Sequence, residues 1–178
     1  MNHYPQSYIA YLTEFHATRD YFECHELLEE YWKAHPDDGR SELWVGLIQL
    51  AVGQYHERRG NLRGAVKMYE SAYRKLDNDD IRLLGLERAS LLARLMQRIA
   101  AAAEPDSPFE DMNLPIEDNE LYNQCLVHSS GLGVEWGAPS RMEDESLIDR
   151  HRLRDRTDVI RARTEALREQ RERRERGL

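Results

Sequence analysis

The chain has 178 residues, close to the ~150 of a single domain, so it can build a core without a disulfide or metal staple, and a second full domain is not expected. Lys+Arg 25 against Asp+Glu 33 gives a formal net charge of -8, which disfavours general binding to nucleic acid or anionic lipid. Cys24 and Cys125 form no CxxC pair, no apolar run approaches the roughly 20 residues that span a bilayer, and the N-terminus lacks the pattern of a secretory signal, so a cytoplasmic address is expected.

From Tyr4 to Ala103 apolar residues recur at helical spacing, punctuated by Pro36-Asp37-Asp38-Gly39, Gly60-Asn61 and Asp77-Asn78-Asp79-Asp80. The spacing predicts five helices over about 5–18, 20–34, 41–59, 62–76 and 81–103. Their short connections favour antiparallel neighbours in an all-α bundle, domain 1–103. Residues 104–118, with Pro105, Pro108 and Pro115 among several acids, read as a surface linker. A C-terminal extension, 119–178, follows. In it Cys125-Leu126-Val127-His128 and Val134-Glu135-Trp136 suggest a short hairpin. The rest reads as a solvated helix with Leu153, Ile160 and Leu167 on one thin stripe. From Asp149 onward eleven arginines accompany seven acids, a net +4, which leaves -12 on the preceding residues. Interleaved acids at helical spacing satisfy many of those arginines, so nucleic acid is disfavoured as a partner except through this tail.

The candidate chemistry lies on the second and third helices. On a helical wheel the apolar arc of Tyr21–Lys33 runs through Tyr21, Phe22, Cys24, Leu27, Leu28, Tyr31 and Trp32. His25 and Glu29 fall inside it, one turn apart, whereas Glu23, Glu26, Glu30 and Lys33 fall on the solvent side. The third helix is apolar nearly all round and is therefore expected at the centre. On it Val45, Gln49, Val52 and His56 form a stripe beside Gly46 and Gly53. A helix-interior glycine costs up to about 1 kcal/mol, so two of them seven apart point to a closely approaching neighbour. If that neighbour is the second helix, His25, Glu29, Gln49 and His56 converge.

A buried carboxylate needs a partner or a proton, so three readings compete for this cluster. It is a hydrogen-bonded network that fixes helix register. Or it is a divalent-metal site with His25, Glu29 and His56 as ligands, imidazole and carboxylate suiting zinc or iron. Or it serves acid-base chemistry or small-ligand binding in a cleft. Elsewhere, Tyr4, Tyr8, Tyr11, Leu12 and Phe15 read as core, and His16 and His35, near helix ends, as residues that are solvated or interact with the helix dipole. His128 beside Ser129-Ser130 has no nucleophile elbow and no placed acid, and no GxGxxG or GxxxxGK[ST] loop is present.

Phe22-Glu23-Cys24-His25-Glu26-Leu27-Leu28-Glu29-Glu30-Tyr31-Trp32, then Gly46-Leu47-Ile48-Gln49-Leu50-Ala51, His56 and the Gly60-Asn61 turn resemble the domain of unknown function 309 family over about residues 10–103. The resemblance implies an all-helical bundle and brings no established activity, substrate or cofactor. His25, Glu29, Trp32, Gln49 and His56 match its motif positions and form the candidate polar cluster. Residues 54–72 also resemble the helix hairpin of a tetratricopeptide repeat, with Asn61 as a cap and Ala65, Tyr69 and Ala72 facing inward, but no second copy follows. The expected function is a binding module for a protein or small ligand; the alternative is a metal-dependent or acid-base enzyme that uses the same cluster.

Overall fold

The computed structural model describes residues 3–153 and 157–176, with side chains in the latter stretch from 161 onward, and the chain divides after Ile148 into two compact units. Among the described residues the fold is all-α, and its only β feature is an isolated bridge between Leu86 and Ile116.

In the first unit α1 (Gln6–Thr13) buries Tyr8, Ile9, Tyr11 and Leu12, and Pro5 precedes it where a missing N–H costs no helical bond. The helix widens into a π turn, Glu14–Thr18, which buries Phe15 and His16. The turn ends at Arg19, whose φ of 57° is left-handed, and the chain reverses there into α2 (Tyr21–Ala34). Asp20 caps α2, its side chain accepting from the Glu23 N–H. Gly60, at φ 81°, turns α3 (Ser41–Arg58) into α4 (Leu62–Leu76), and Asn61 caps α4 by accepting from the Gly64 N–H. Helix α3 is the central element. It packs on both α2 and α4, and its Leu47 carbonyl accepts from the Tyr11 hydroxyl of α1 at 2.8 Å.

The two glycines of α3 do mark a close approach, but the neighbour is α4. A Cβ on Gly46 would meet Leu76 Cδ2 at 2.7 Å, and one on Gly53 would meet the Tyr69 ring at 2.5 Å. Ala65, Tyr69 and Ala72 are buried against α3, as the hairpin resemblance implies.

Three expectations are corrected. The fifth helix does not start at 81: Asp79–Leu84 is a 3-10 turn ended by Gly85 at φ 70°, and α5 spans Arg88–Ala102 behind an N-cap at Glu87. Residues 104–118 do not merely run over the surface, because Met112 and Leu114 are buried and the Glu87 N–H donates to the Pro115 carbonyl at 2.9 Å. The hairpin is absent, and Cys125 to His128 lie inside α6 (Asn119–Gly131), which Asp118 caps through the Glu120 and Leu121 N–H groups. Leu121, Cys125 and Ser129 are its buried residues, four apart on one face. The unit closes with α7 (Glu145–Ile148).

The second unit holds α8 (Arg150–Leu153) and the Arg-rich α9 (Thr157–Glu175). Arg171–Glu175 at 3.2 Å and Arg176–Glu172 at 3.4 Å are pairs one turn apart, as the charge pattern predicts. Of the expected stripe, Leu153 and Leu167 are exposed, and the side chain of Ile160 lies outside the described residues. Among the described residues no helix is long and apolar enough to cross a membrane.

Candidate functional site

The cluster read from the sequence is a half-exposed band along α2 and α3. On α2 the fully buried residues are Tyr21, Cys24 and Leu28, which face α1 and α3. His25 and Glu29 stand at the edge of that face, with side chains 29% and 32% exposed, and His25 Nε2 lies 3.1 Å from Glu29 Oε2. The other imidazole nitrogen, Nδ1, is 3.2 Å from Glu26 Oε1, so Glu26 belongs to the group despite its solvent-side position on the wheel. Lys33 reaches Glu29 Oε1 at 2.8 Å. Along the acidic flank, partial desolvation first and the charges of Glu14, Glu26 and Glu30 next raise the Glu23 carboxyl above its ordinary range.

On α3, Gln49, Val52 and His56 are also half buried. His56 Nδ1 accepts from Asn61 Nδ2 at 3.2 Å, which ties it to the turn that caps α4. Among the described residues the ligand-capable group is His25, Glu26 and Glu29, whose candidate donor atoms lie within 4.8 Å of one another. His56 is not part of it. The reason is the packing of α3: the stripe that carries Gln49 and His56 borders the glycine stripe, and the glycines face α4. Gln49 Oε1 is buried and accepts no hydrogen bond, an omission that costs about 1–3 kcal/mol. Trp32 packs partly buried against the core.

The fully buried ionisable groups lie elsewhere, and the sequence reading missed them. Glu57 on α3 pairs with Arg98 on α5 through Arg98 Nη2 and Glu57 Oε1, and Arg98 Nε reaches Glu57 Oε2 at 3.3 Å. Their side chains are 3% and 10% exposed. The Tyr69 hydroxyl donates to Glu57 Oε2 at 2.6 Å and accepts from Gln54 Nε2 at 2.6 Å, while Gln54 Oε1 accepts from the Met112 N–H at 2.7 Å. Burial, and then the Glu57 carboxylate, push the Tyr69 phenol well above its ordinary value, so it stays a proton donor. This network binds α3, α4 and α5 to the 104–118 segment. A helix at the centre of a bundle buries many of the polar residues it carries, and Gln54, Glu57 and Arg58 on α3 were the available signal.

A second buried set secures the α1–α2 corner. Arg19 donates to the carbonyls of Phe15, Met112 and Ala138 at 3.1, 3.0 and 2.8 Å and to Asn113 Oδ1 at 2.9 Å. Arg58 stacks over the Tyr21 ring at 4.7 Å and donates to the Arg19 carbonyl at 2.7 Å. Tyr21 and Ser140 both donate to Asp111, at 2.6 and 2.5 Å. His16 is buried rather than solvated. One ring nitrogen pairs with the Leu12 carbonyl at 2.7 Å, the other accepts from the Leu114 N–H at 2.9 Å, and the ring stacks on Trp136 at 4.5 Å. Burial first, with the charges of Arg19 and Arg94 adding to it, lowers its pKa to about 3, so it is a neutral imidazole.

Fold and site together define an all-helical domain with an internally bonded ionic core and a half-exposed His/Glu band. Residues 8–68 match the family model described as "Domain of unknown function (DUF309)". A relative from Bacillus subtilis (strain 168), described as "Uncharacterized protein YpuF", is 49% identical over 162 residues, which cover 90% of this chain and 92% of that one. The chain belongs to the DUF309 family. No solved structure matches it.

Proposed function

We propose that the protein is a cytoplasmic, non-catalytic binding module whose α2–α3 band, His25, Glu29, Trp32, Gln49 and His56, meets a protein or small-ligand partner. The observation that carries this reading is the division of labour among the ionisable groups. Glu57, Arg98, Arg19, Arg58 and His16 are buried and bonded within the fold, whereas the titratable groups of the band stand half exposed. Buried groups bonded within the fold specify packing, even where one atom, Arg58 Nε, is left without a hydrogen-bond partner. Half-exposed imidazole, carboxylate and indole groups offer donors, acceptors and apolar surface to a partner.

A second reading has its own support. His25, Glu26 and Glu29 could chelate a divalent cation, with Glu26 in place of His56, and the band would then be the centre of a metal-dependent enzyme. Elemental analysis of the full chain purified without chelator separates the two, read with melting temperatures in the presence and absence of EDTA. The module reading expects less than a tenth of an equivalent of zinc or iron and no EDTA effect. One equivalent of metal that is lost in His25→Ala, with a lower melting temperature in EDTA, overturns it in favour of the metal site.

A further inference from the structure

The first unit carries a marked excess of acid, yet one of its cavities contains no acid. A depression of about 390 Å³ lies between α5, the 113–116 segment, the exposed side of α6 and the 134–138 loop. Its walls include Arg94, His16, Leu114, Ile116, Tyr122 and Trp136, and none of its lining residues is Asp or Glu. Trp136 is held as a rigid wall: His16 stacks on it with rings 14° from parallel, and Tyr122 meets it at 5.8 Å and 90°.

The polar member that is not used up is Arg94. One N–H of its guanidinium donates to the Asn113 carbonyl, and its remaining donors have no acceptor among the described residues. It also borders a neighbouring polar depression that Glu110 and Asp111 line, but neither carboxylate pairs with it. Burial is the main cause of the lowered His16 pKa, and the charge of Arg94, which lines the pocket, adds to it, so the ring beside Arg94 stays neutral. His16 itself offers a ligand no free nitrogen, since both ring atoms are bonded.

A guanidinium with free N–H groups recognises a carboxylate or phosphate through paired hydrogen bonds. Walls of Trp, Tyr, Leu and Ile suit an apolar, planar body. The volume falls near the lower end of the ~300–1,000 Å³ typical of small-molecule sites, too small for a folded partner. We infer that this pocket binds a small organic anion, an aromatic ring bearing one anionic group, with Arg94 as the anion contact and Trp136 and Tyr122 as the ring walls. This pocket is separate from the α2–α3 band and shares none of its residues, so it goes beyond the binding-module reading and does not depend on it.

The test is an NMR titration of the full, ¹⁵N-labelled chain with benzoate. Benzamide serves as the uncharged match and inorganic phosphate as the anion without a ring. The three indole N–H signals of Trp32, Trp44 and Trp136 are assigned with Trp136→Phe. Benzoate is expected to move the Trp136 signal saturably at millimolar or lower concentration and to leave Trp32 in place, with benzamide and phosphate at least tenfold weaker. Arg94→Gln, whose melting temperature is expected to stay near wild type, should weaken benzoate at least tenfold, and Arg63→Gln should not weaken it. Absence of a saturable Trp136 shift, equal affinity for benzamide, equal affinity for phosphate, or an unchanged affinity in Arg94→Gln would each overturn the assignment. Metal retention at His25 would sink the module reading alone, and the two failures are therefore distinguishable.

Discussion

His16 makes stability depend on pH in a calculable way. Its folded pKa is about 3, against an ordinary value of ~6.5 in the unfolded chain. Between those values the unfolded state binds the proton and the folded state does not, so stability rises with pH and is fully present above ~6.5. On acidification it falls by up to about 1.4 kcal/mol per pH unit until the folded pKa is reached. From pH 7.5 to pH 5 the His16 contribution declines by about 2 kcal/mol. At a typical urea m-value near 2 kcal/mol/M this is a fall of roughly 1 M in the midpoint. Urea unfolding of wild type and His16→Gln at both pH values isolates the effect from the other histidines. The variant should be weaker than wild type at pH 7.5, because its stack on Trp136 is lost, and should lose roughly 1 M less on acidification. Equal acid-induced losses in the two proteins would refute a neutral, buried imidazole at this position.

Two substitutions probe the packing that positions the band. Gly53→Ala drives a methyl into a Tyr69 ring that Glu57 and Gln54 hold in place, so a loss of about 1–3 kcal/mol in chemical unfolding is expected despite alanine's helix preference; a gain in stability would contradict the close approach of α3 and α4. Asp38 accepts from Arg40 Nε and Nη2 at 2.6 Å each, from Tyr31 at 2.9 Å and from Trp44 at 3.1 Å, bonds that hold its carboxyl down to about 2. Asp38→Asn should therefore cost about 1–3 kcal/mol at pH 7, and a melting temperature equal to wild type would show that these bonds do not support the α2–α3 connection.

The sequence made the local structure of α2, α3 and α4 legible, because periodicity, the Asp20 and Asn61 caps and the Gly60 turn all agree there. Agreement fails where tertiary contacts decide. Ile81 and Leu84 look like the start of α5, but Gly85 takes a left-handed turn so that its carbonyl can accept from the Glu117 N–H at 2.8 Å. The Cys125-Leu126-Val127-His128 run has strand-forming residues, yet the Asp118 cap and the four-residue spacing of Leu121, Cys125 and Ser129 were visible helix signals. In the 104–118 segment the prolines masked the buried Met112 and Leu114.

The candidate site was legible only in part. The His25–Glu29 pair follows from i, i+4 spacing alone. Its depth does not, because the glycines of α3 could not say whether α2 or α4 fills their groove, and they face α4. Glu57 and Arg98 are 41 positions apart on different helices, a pairing that no single-helix pattern reveals.

The account rests on the Glu57–Arg98–Tyr69 network being a structural device, and a double-mutant cycle of Glu57→Gln and Arg98→Met reads this directly by chemical unfolding. Arg98→Met strands a carboxylate that is 3% exposed, so a loss of about 3–5 kcal/mol is predicted, with roughly 1–3 kcal/mol of coupling recovered when Glu57→Gln is added. Single and double variants that all unfold within about 0.5 kcal/mol of wild type would contradict it, since surface-like behaviour of that size means the pair does not hold the helices together.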